Sequence, residues 1–204
     1  MRLVDLTHAF TDNMPTYPGD PKASMQQSAR IEKEGYADHW LQTGMHVGTH
    51  IDAPAHMITG GKKVHELPLE LFYGKGRVMD VRKRKRIDTG IQGYKNIEKE
   101  EVVFFCTGFS KKYHAKKYFT DFPVMTEALA KELVKRRIKM VGFDTPSPDK
   151  KPFAAHKILL GAGILIIENL MNLEALLGVP EFQVHAAPMK LSADAAPARV
   201  VAVF

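Results

Sequence analysis

The apolar residues of this chain fall in short runs rich in β-branched and aromatic side chains, spread from end to end and separated by turn residues. Residues 3–6, 23–31, 37–45, 76–81, 102–106, 140–143, 164–167, 182–187 and 199–204 each read as a strand. One segment has clear helical spacing, residues 126–137. There Thr126 can cap the first turn, and Leu129, Leu133 and Val134 form an apolar stripe opposite Lys131, Lys135 and Arg136. Shorter helices are expected over 153–160 and 173–177. Strands that outnumber helices and interleave with them predict an α/β fold built on a mixed sheet. Between them, residues 15–21 (PTYPGDP), Gly60-Gly61 and residues 144–149 (DTPSPD) are loops, because neither helix nor central strand tolerates this density of proline and glycine. With 204 residues, 45% of them hydrophobic, and no internal repeat, residues 1–204 read as a single domain with one substantial core.

The net charge of +6 comes largely from three short patches: RKRKR at 82–86, KKYHAKK at 111–117 and KRRIK at 135–139. Each flanks an apolar run, which is the pattern of a solvated face, and no nucleic-acid-binding motif accompanies them. No nucleic-acid partner is expected. The single cysteine, Cys106, lies inside the apolar run 102–106, so it is expected to pack and no internal disulfide can form. No run reaches the length of a membrane span, and the amino-terminal residues lack the features of a cleaved leader. These features place the chain in a reducing, cytoplasmic compartment without a membrane partner.

The densest chemistry lies in residues 44–56, GMHVGTHIDAPAH, which hold His46, His50, Asp52 and His56 within eleven residues. A helix is disfavoured there by Gly48, Thr49, Ile51 and Pro54, and the glutamate of the helical zinc-protease pattern is missing. An extended chain instead puts His46, Gly48, His50 and Asp52 on one face, with Gly48 leaving space for an ion and its water. Two imidazoles and a carboxylate are a normal donor set for Zn²⁺ or Mn²⁺. Pro54 would turn the chain and bring His56 towards the same pocket. Further on, Glu168 ends a nearly unbroken apolar strand, and a carboxylate in that position needs a partner. Taken alone, His156 reads as a helix-surface residue. The histidines at 8, 39, 65, 114 and 185 have no visible partner set, although His39 and Trp40 precede the cluster closely enough to be candidates for a pocket wall.

The segment HVGTHIDAPAH resembles the HxGTHxDxPxH signature of the cyclase family of metal-dependent hydrolases, which includes bacterial kynurenine formamidases and isatin hydrolases. Four further segments resemble the family in order along the chain: Tyr17-Pro-Gly-Asp20 its WPGD turn, residues 142–147 its GxDxPS loop, Ala155-His156 with Glu168-Asn169 its AH and EN pairs, and residues 188–191 its PLxL-like segment. The resemblance implies that His46, His50 and Asp52 are metal ligands and that His156 and Glu168 complete a second metal position. It also implies that His56 donates and accepts the proton, in a swivelling β/β/α domain assembled as a homodimer or larger homo-oligomer. The implied reaction is hydrolysis of a carbon–nitrogen amide bond in a small aryl amide such as N-formylkynurenine, using water activated by one or two divalent ions, Zn²⁺ first and Mn²⁺ second. Opening of a cyclic amide such as isatin is the alternative reaction, and a metal-containing binding protein with a decayed site is the alternative of another class. The chain departs from the family at Tyr17, which replaces a substrate-contacting tryptophan, at Met57, and at His156-Lys157, where the formamidases can carry a histidine pair.

Overall fold

The computed structural model describes residues 1–204. Its strands, in chain order, are β1 (Leu3–Asp5), β2 (Ser24–Ala29), β3 (Asp38–Gln42), β4 (His50–Asp52), β5 (Tyr73–Asp80), β6 (Arg86–Ile87), β7 (Val102–Cys106), β8 (Val124–Met125), β9 (Met140–Phe143), β10 (Leu165–Glu168), β11 (Phe182–His185), β12 (Ala195–Pro197) and β13 (Val201–Val203). The α-helices are α1 (Ile31–Glu34), α2 (Glu127–Arg136) and α3 (Ala154–Gly161). Nine strands form one curled sheet in the order β1-β13-β11-β5-β7-β9-β10-β4-β12, parallel through β5, β7, β9 and β10 and antiparallel on both flanks. This is the mixed α/β architecture that the pattern of short runs predicts.

The central strands have unbroken apolar runs because the sheet is covered on both faces. In β7, Val103 and Phe105 point into a cluster with Leu129, Leu133 and Leu159 of α2 and α3, while Val102, Phe104 and Cys106 point into a second cluster with Leu6, Ile51, Leu173 and Val184. Cys106 is fully buried, in keeping with a packing role. Each large side chain buried in this way contributes about 1.5–3 kcal/mol.

Helix α2 forms where its stripe predicts. Thr126 Oγ1 accepts the Leu129 N–H at 3.3 Å, Leu129 and Leu133 are buried, and Arg137 closes the helix in the left-handed region at φ 56°. The stretch 173–177 departs from expectation: it is a 3₁₀ turn, Leu173–Leu176, too short to propagate α-helical hydrogen bonds. Residues 195–197 carry no strand signal of their own, yet β12 pairs with β4, within the stretch expected to be extended, and together they continue the sheet beyond β10. Three residues are too few for a periodic pattern, so β12 is held by its pairing with β4, which in turn pairs with β10.

Candidate active site

Strand β4 pairs antiparallel with β10 so that His50 stands opposite Glu168 and Asp52 opposite Ile166. Side chains alternate along a strand, so Ile51 enters the core with Phe104 while His50 and Asp52 face the side where α3 packs. His156 projects from α3 towards them and is 2% exposed, which overturns its reading as a helix-surface residue. Asp149 explains the placement. One of its oxygens accepts the Ala155 N–H at 2.6 Å, satisfying an orphan donor of the first helical turn, and the other accepts the His156 Nδ1–H at 2.5 Å.

The expectation of an extended chain from His46 to Asp52 is also overturned. Only His50–Asp52 is strand, and Gly48 sits at φ +67°, a left-handed turn that glycine adopts at no steric cost. The turn bends His46 back over β4. Gly48 does not leave space for an ion, since a Cβ built on it would lie 2.9 Å from Met14 Cε. Its carbonyl accepts from His50 Nδ1 at 2.8 Å and from Asn169 Nδ2 at 3.0 Å, tying the turn to the end of β10.

Each of three imidazoles is thus anchored through one nitrogen and presents the other to a common centre. His50 Nδ1 is held by Gly48, His156 Nδ1 by Asp149, and His46 Nε2 by Asp194 Oδ2 at 2.9 Å. The free nitrogens converge: His46 Nδ1 lies 3.3 Å from His50 Nε2 and 3.0 Å from Asp52 Oδ1, and His50 Nε2 is 3.3 Å from both Asp52 Oδ1 and Glu168 Oε2. His156 Nε2 is 3.2 Å from Glu168 Oε1 and 3.9 Å from Asp52 Oδ2. Asp52 is fully buried, yet neither of its oxygens has a hydrogen bond of good geometry despite the nearby nitrogens. A buried carboxylate without well-aligned hydrogen bonds is costly. The donor set fits a divalent cation, with the sets His46, Asp52, His56 and His50, Asp52, Glu168 each having ligand atoms within 4.8 Å of one another.

The electrostatics point the same way. Burial resists protonation of His50, but the adjacent Asp52 and Glu168 carboxylates outweigh it and push its pKa up to about 10. Burial likewise resists charging of His156, which Asp149 and Glu168 raise to about 10. Asp52 is held well below the usual carboxylate range because its histidine neighbours overcome the burial that would raise it. In the metal-free protein, protons on histidine neutralise the buried carboxylates, and those protons are what a cation would displace.

His56 lies on the 3₁₀ turn Pro54–His56, so the proline does redirect the chain beyond the strand. Its ring centroid is 4.1 Å from that of His46, and its Nδ1 lies 3.1 Å from the Asp194 oxygen that also holds His46. Sequence reading missed Asp194 and Asp149. Asp194 stands 138 residues from His56 with no motif around it, whereas Asp149 lay within a loop read only as turn chemistry.

A cavity of about 270 Å³ opens beside the cluster, lined by His46, His56, His156 and Glu168 on the polar side. Tyr17, Met57, Phe119, Pro146 and Phe153 supply the less polar walls, with Tyr17 edge-on to Phe119 at 5.9 Å. His39 and Trp40 do not line it. They lie on β3, which pairs only with β2, and Trp40 is 55% exposed.

The Cyclase family model matches residues 4–150 of this chain. The kynurenine formamidase of Bacillus cytotoxicus is 30% identical over 203 residues, covering 97% of this chain and 95% of the relative. Among solved structures, isatin hydrolase A from Labrenzia aggregata, bound to benzyl benzoate, has a TM-score of 0.89 at 26% identity, covering 100% of this chain and 93% of that one. The structure of a potential metal-dependent hydrolase with cyclase activity has a TM-score of 0.81 at 30% identity, covering 98% and 96%. His156 and Glu168 fall outside the stretch matched by the family model but within the span shared with the full-length relatives.

Proposed function

Because this chain belongs to the Cyclase family, we propose that it is a metal-dependent amidohydrolase of the arylformamidase type, converting N-formylkynurenine to kynurenine and formate. The observation that carries this reading is the anchoring of His46, His50 and His156 through one nitrogen each, with the other aimed at the buried carboxylates of Asp52 and Glu168. In this reading His46, His50 and Asp52 hold one divalent ion, and Asp52, His156 and Glu168 hold a second. Zn²⁺ is the first candidate and Mn²⁺ the second, since imidazole and carboxylate accept both. The bound cation supplies Lewis acidity, bringing the pKa of water towards neutrality and stabilising negative charge on a carbonyl oxygen.

The side chains account for the rest. With Nδ1 held by Asp194, His56 keeps Nε2 free to take a proton from water and to return it to the leaving nitrogen. Tyr17, Phe119 and Phe153 offer aromatic surface to an aryl group. The test is formate release from N-formylkynurenine by metal-loaded and chelator-treated protein. Metal-dependent turnover is expected, and identical inactivity of both forms towards every arylformamide tried would refute the assignment.

A second reading, opening of a cyclic amide, is favoured by the TM-score of 0.89 to isatin hydrolase A. It uses the same residues and differs in pocket shape, so comparing isatin with N-formylkynurenine as substrates separates the two. The proposal also takes residues 1–204 as one catalytic domain acting in the cytoplasm as a homodimer or larger homo-oligomer, for which light scattering of the purified protein is the check. No helix is long and apolar enough to cross a membrane.

A further inference from the structure

Outside the ligand and proton-carrying side chains, the charged group that lines the cavity is the carboxylate of Asp20. No lysine or arginine lines it, although the chain carries 29 of them against 23 acids. The basic side chains that form ion pairs find other carboxylates, so no cation of the protein is joined to Asp20. Its position is built by the turn Tyr17-Pro-Gly-Asp20. Gly19 takes φ +101°, which suits glycine, and the Asp20 N–H donates to the Tyr17 carbonyl at 3.0 Å. One tight turn therefore brings an aromatic ring and an unpaired, solvent-exposed carboxylate to the edge of the same cavity, with Phe119 edge-on to the ring.

A carboxylate beside aromatic rings is the chemistry that receives an organic ammonium: the anion takes its N–H donors and the ring faces attract the charge. The same wall offers a substrate carboxylate no counter-ion. We propose that Asp20, with Tyr17 and Phe119, forms an ammonium subsite, so that the favoured substrates are aryl amides whose side chain carries a protonated amine. A carboxylate on that side chain is left to solvent. The inference rests on the arylformamidase reading and deepens it, because neutral cyclic amides make no use of Asp20.

The test uses the metal-loaded protein and four 2-formamidophenyl ketones whose side chain ends in an ammonium, an ammonium with a carboxylate, a carboxylate, or a methyl group. Wild-type kcat/KM should rank both ammonium compounds above the methyl compound and the carboxylate compound last. Asp20→Asn should lower kcat/KM by roughly three- to fivefold for the two ammonium compounds, the loss of one solvent-exposed charge pair, and leave the other two within about a factor of two. Asp20→Glu should restore part of the preference. An equal loss across all four compounds, or no preference for the ammonium in the wild type, overturns the subsite. Calorimetric binding of the matching deformylated amines, with and without the side-chain ammonium, reads the subsite without turnover. Selective binding that Asp20→Asn abolishes would uphold it even if none of the four compounds released formate, the outcome that defeats the arylformamidase reading. Unselective binding would defeat the subsite.

Discussion

Asp52 is fully buried with neither oxygen in a well-aligned hydrogen bond, an arrangement that a folded protein keeps only where something else neutralises the charge. His56 is different in kind: it is partly exposed, reaches the cavity and shares the Asp194 oxygen with His46. Replacing His56 with alanine is expected to lower kcat by two to four orders of magnitude, the usual range for a general acid–base, with metal content retained. Elemental analysis beside the rate measurement checks this, and parallel loss of metal would make His56 a ligand instead. Asp194→Asn replaces the carboxylate that both rings share with a neutral amide, which keeps one acceptor oxygen but loses the charge. It should cost about 10–100-fold in activity or metal affinity, as outer carboxylates behind metal-bound histidines do, and Asp194→Glu should recover part of it. Asp194 escaped the sequence because a hydrogen bond between side chains 138 residues apart leaves no periodic trace, and Asp149, seven residues before His156, because its loop reads as turn chemistry.

Among the elements, the parallel strands were the most legible. The runs at 102–106 and 140–143 coincide with β7 and β9, because strands buried on both faces must be apolar throughout. The short strand β4 bears out only the last three residues of the extended stretch expected over 46–52, where pairing with β10 and β12 holds the chain. Gly142 in β9 shows how closely these strands are covered. A Cβ there would lie 2.6 Å from Phe104 Cδ1 and 2.7 Å from Leu170 Cδ1, both in the buried core. Gly142→Ala is therefore expected to destabilise the fold by about 1–3 kcal/mol through overpacking, read as a lower denaturation midpoint with an unchanged denaturant slope. By contrast the basic run at 82–86 lies largely on the surface, with Arg82 paired to Asp80 and Arg84 to Asp88. Such exposed pairs contribute little to stability.

For the molecule as a whole, the cation is expected to act as a stabilising ligand. At a free metal concentration a hundredfold above the dissociation constant, unfolding should cost about 2.7 kcal/mol more than in chelator, seen as a higher Tm. The metal-free form carries its own pH signature. His50 and His156 have folded-state pKa values raised from 6.5 to about 10, so their contribution is fully present below pH 6.5 and is lost as pH rises through about 10. Urea unfolding in chelator should show stability falling across that window, and the metal-loaded protein should not show this fall, because the cation has replaced the protons. The sequence by itself determined the α/β class, the principal strands and helix α2, and the donor cluster at 46–56. Those features are local: they follow from side-chain periodicity, turn residues and the density of histidine in one segment. Only the tertiary structure decided that Gly48 turns the chain instead of extending it, that His156 is buried, and that Asp149, Asp194 and Asp20 reach the site. Asp194 reaches its histidines across 138 residues and the Gly48 turn is tied to Asn169 across 121, while Asp149 acts on His156 only seven residues on through a loop whose shape the packing decides; neither kind of proximity leaves a mark on spacing along the chain.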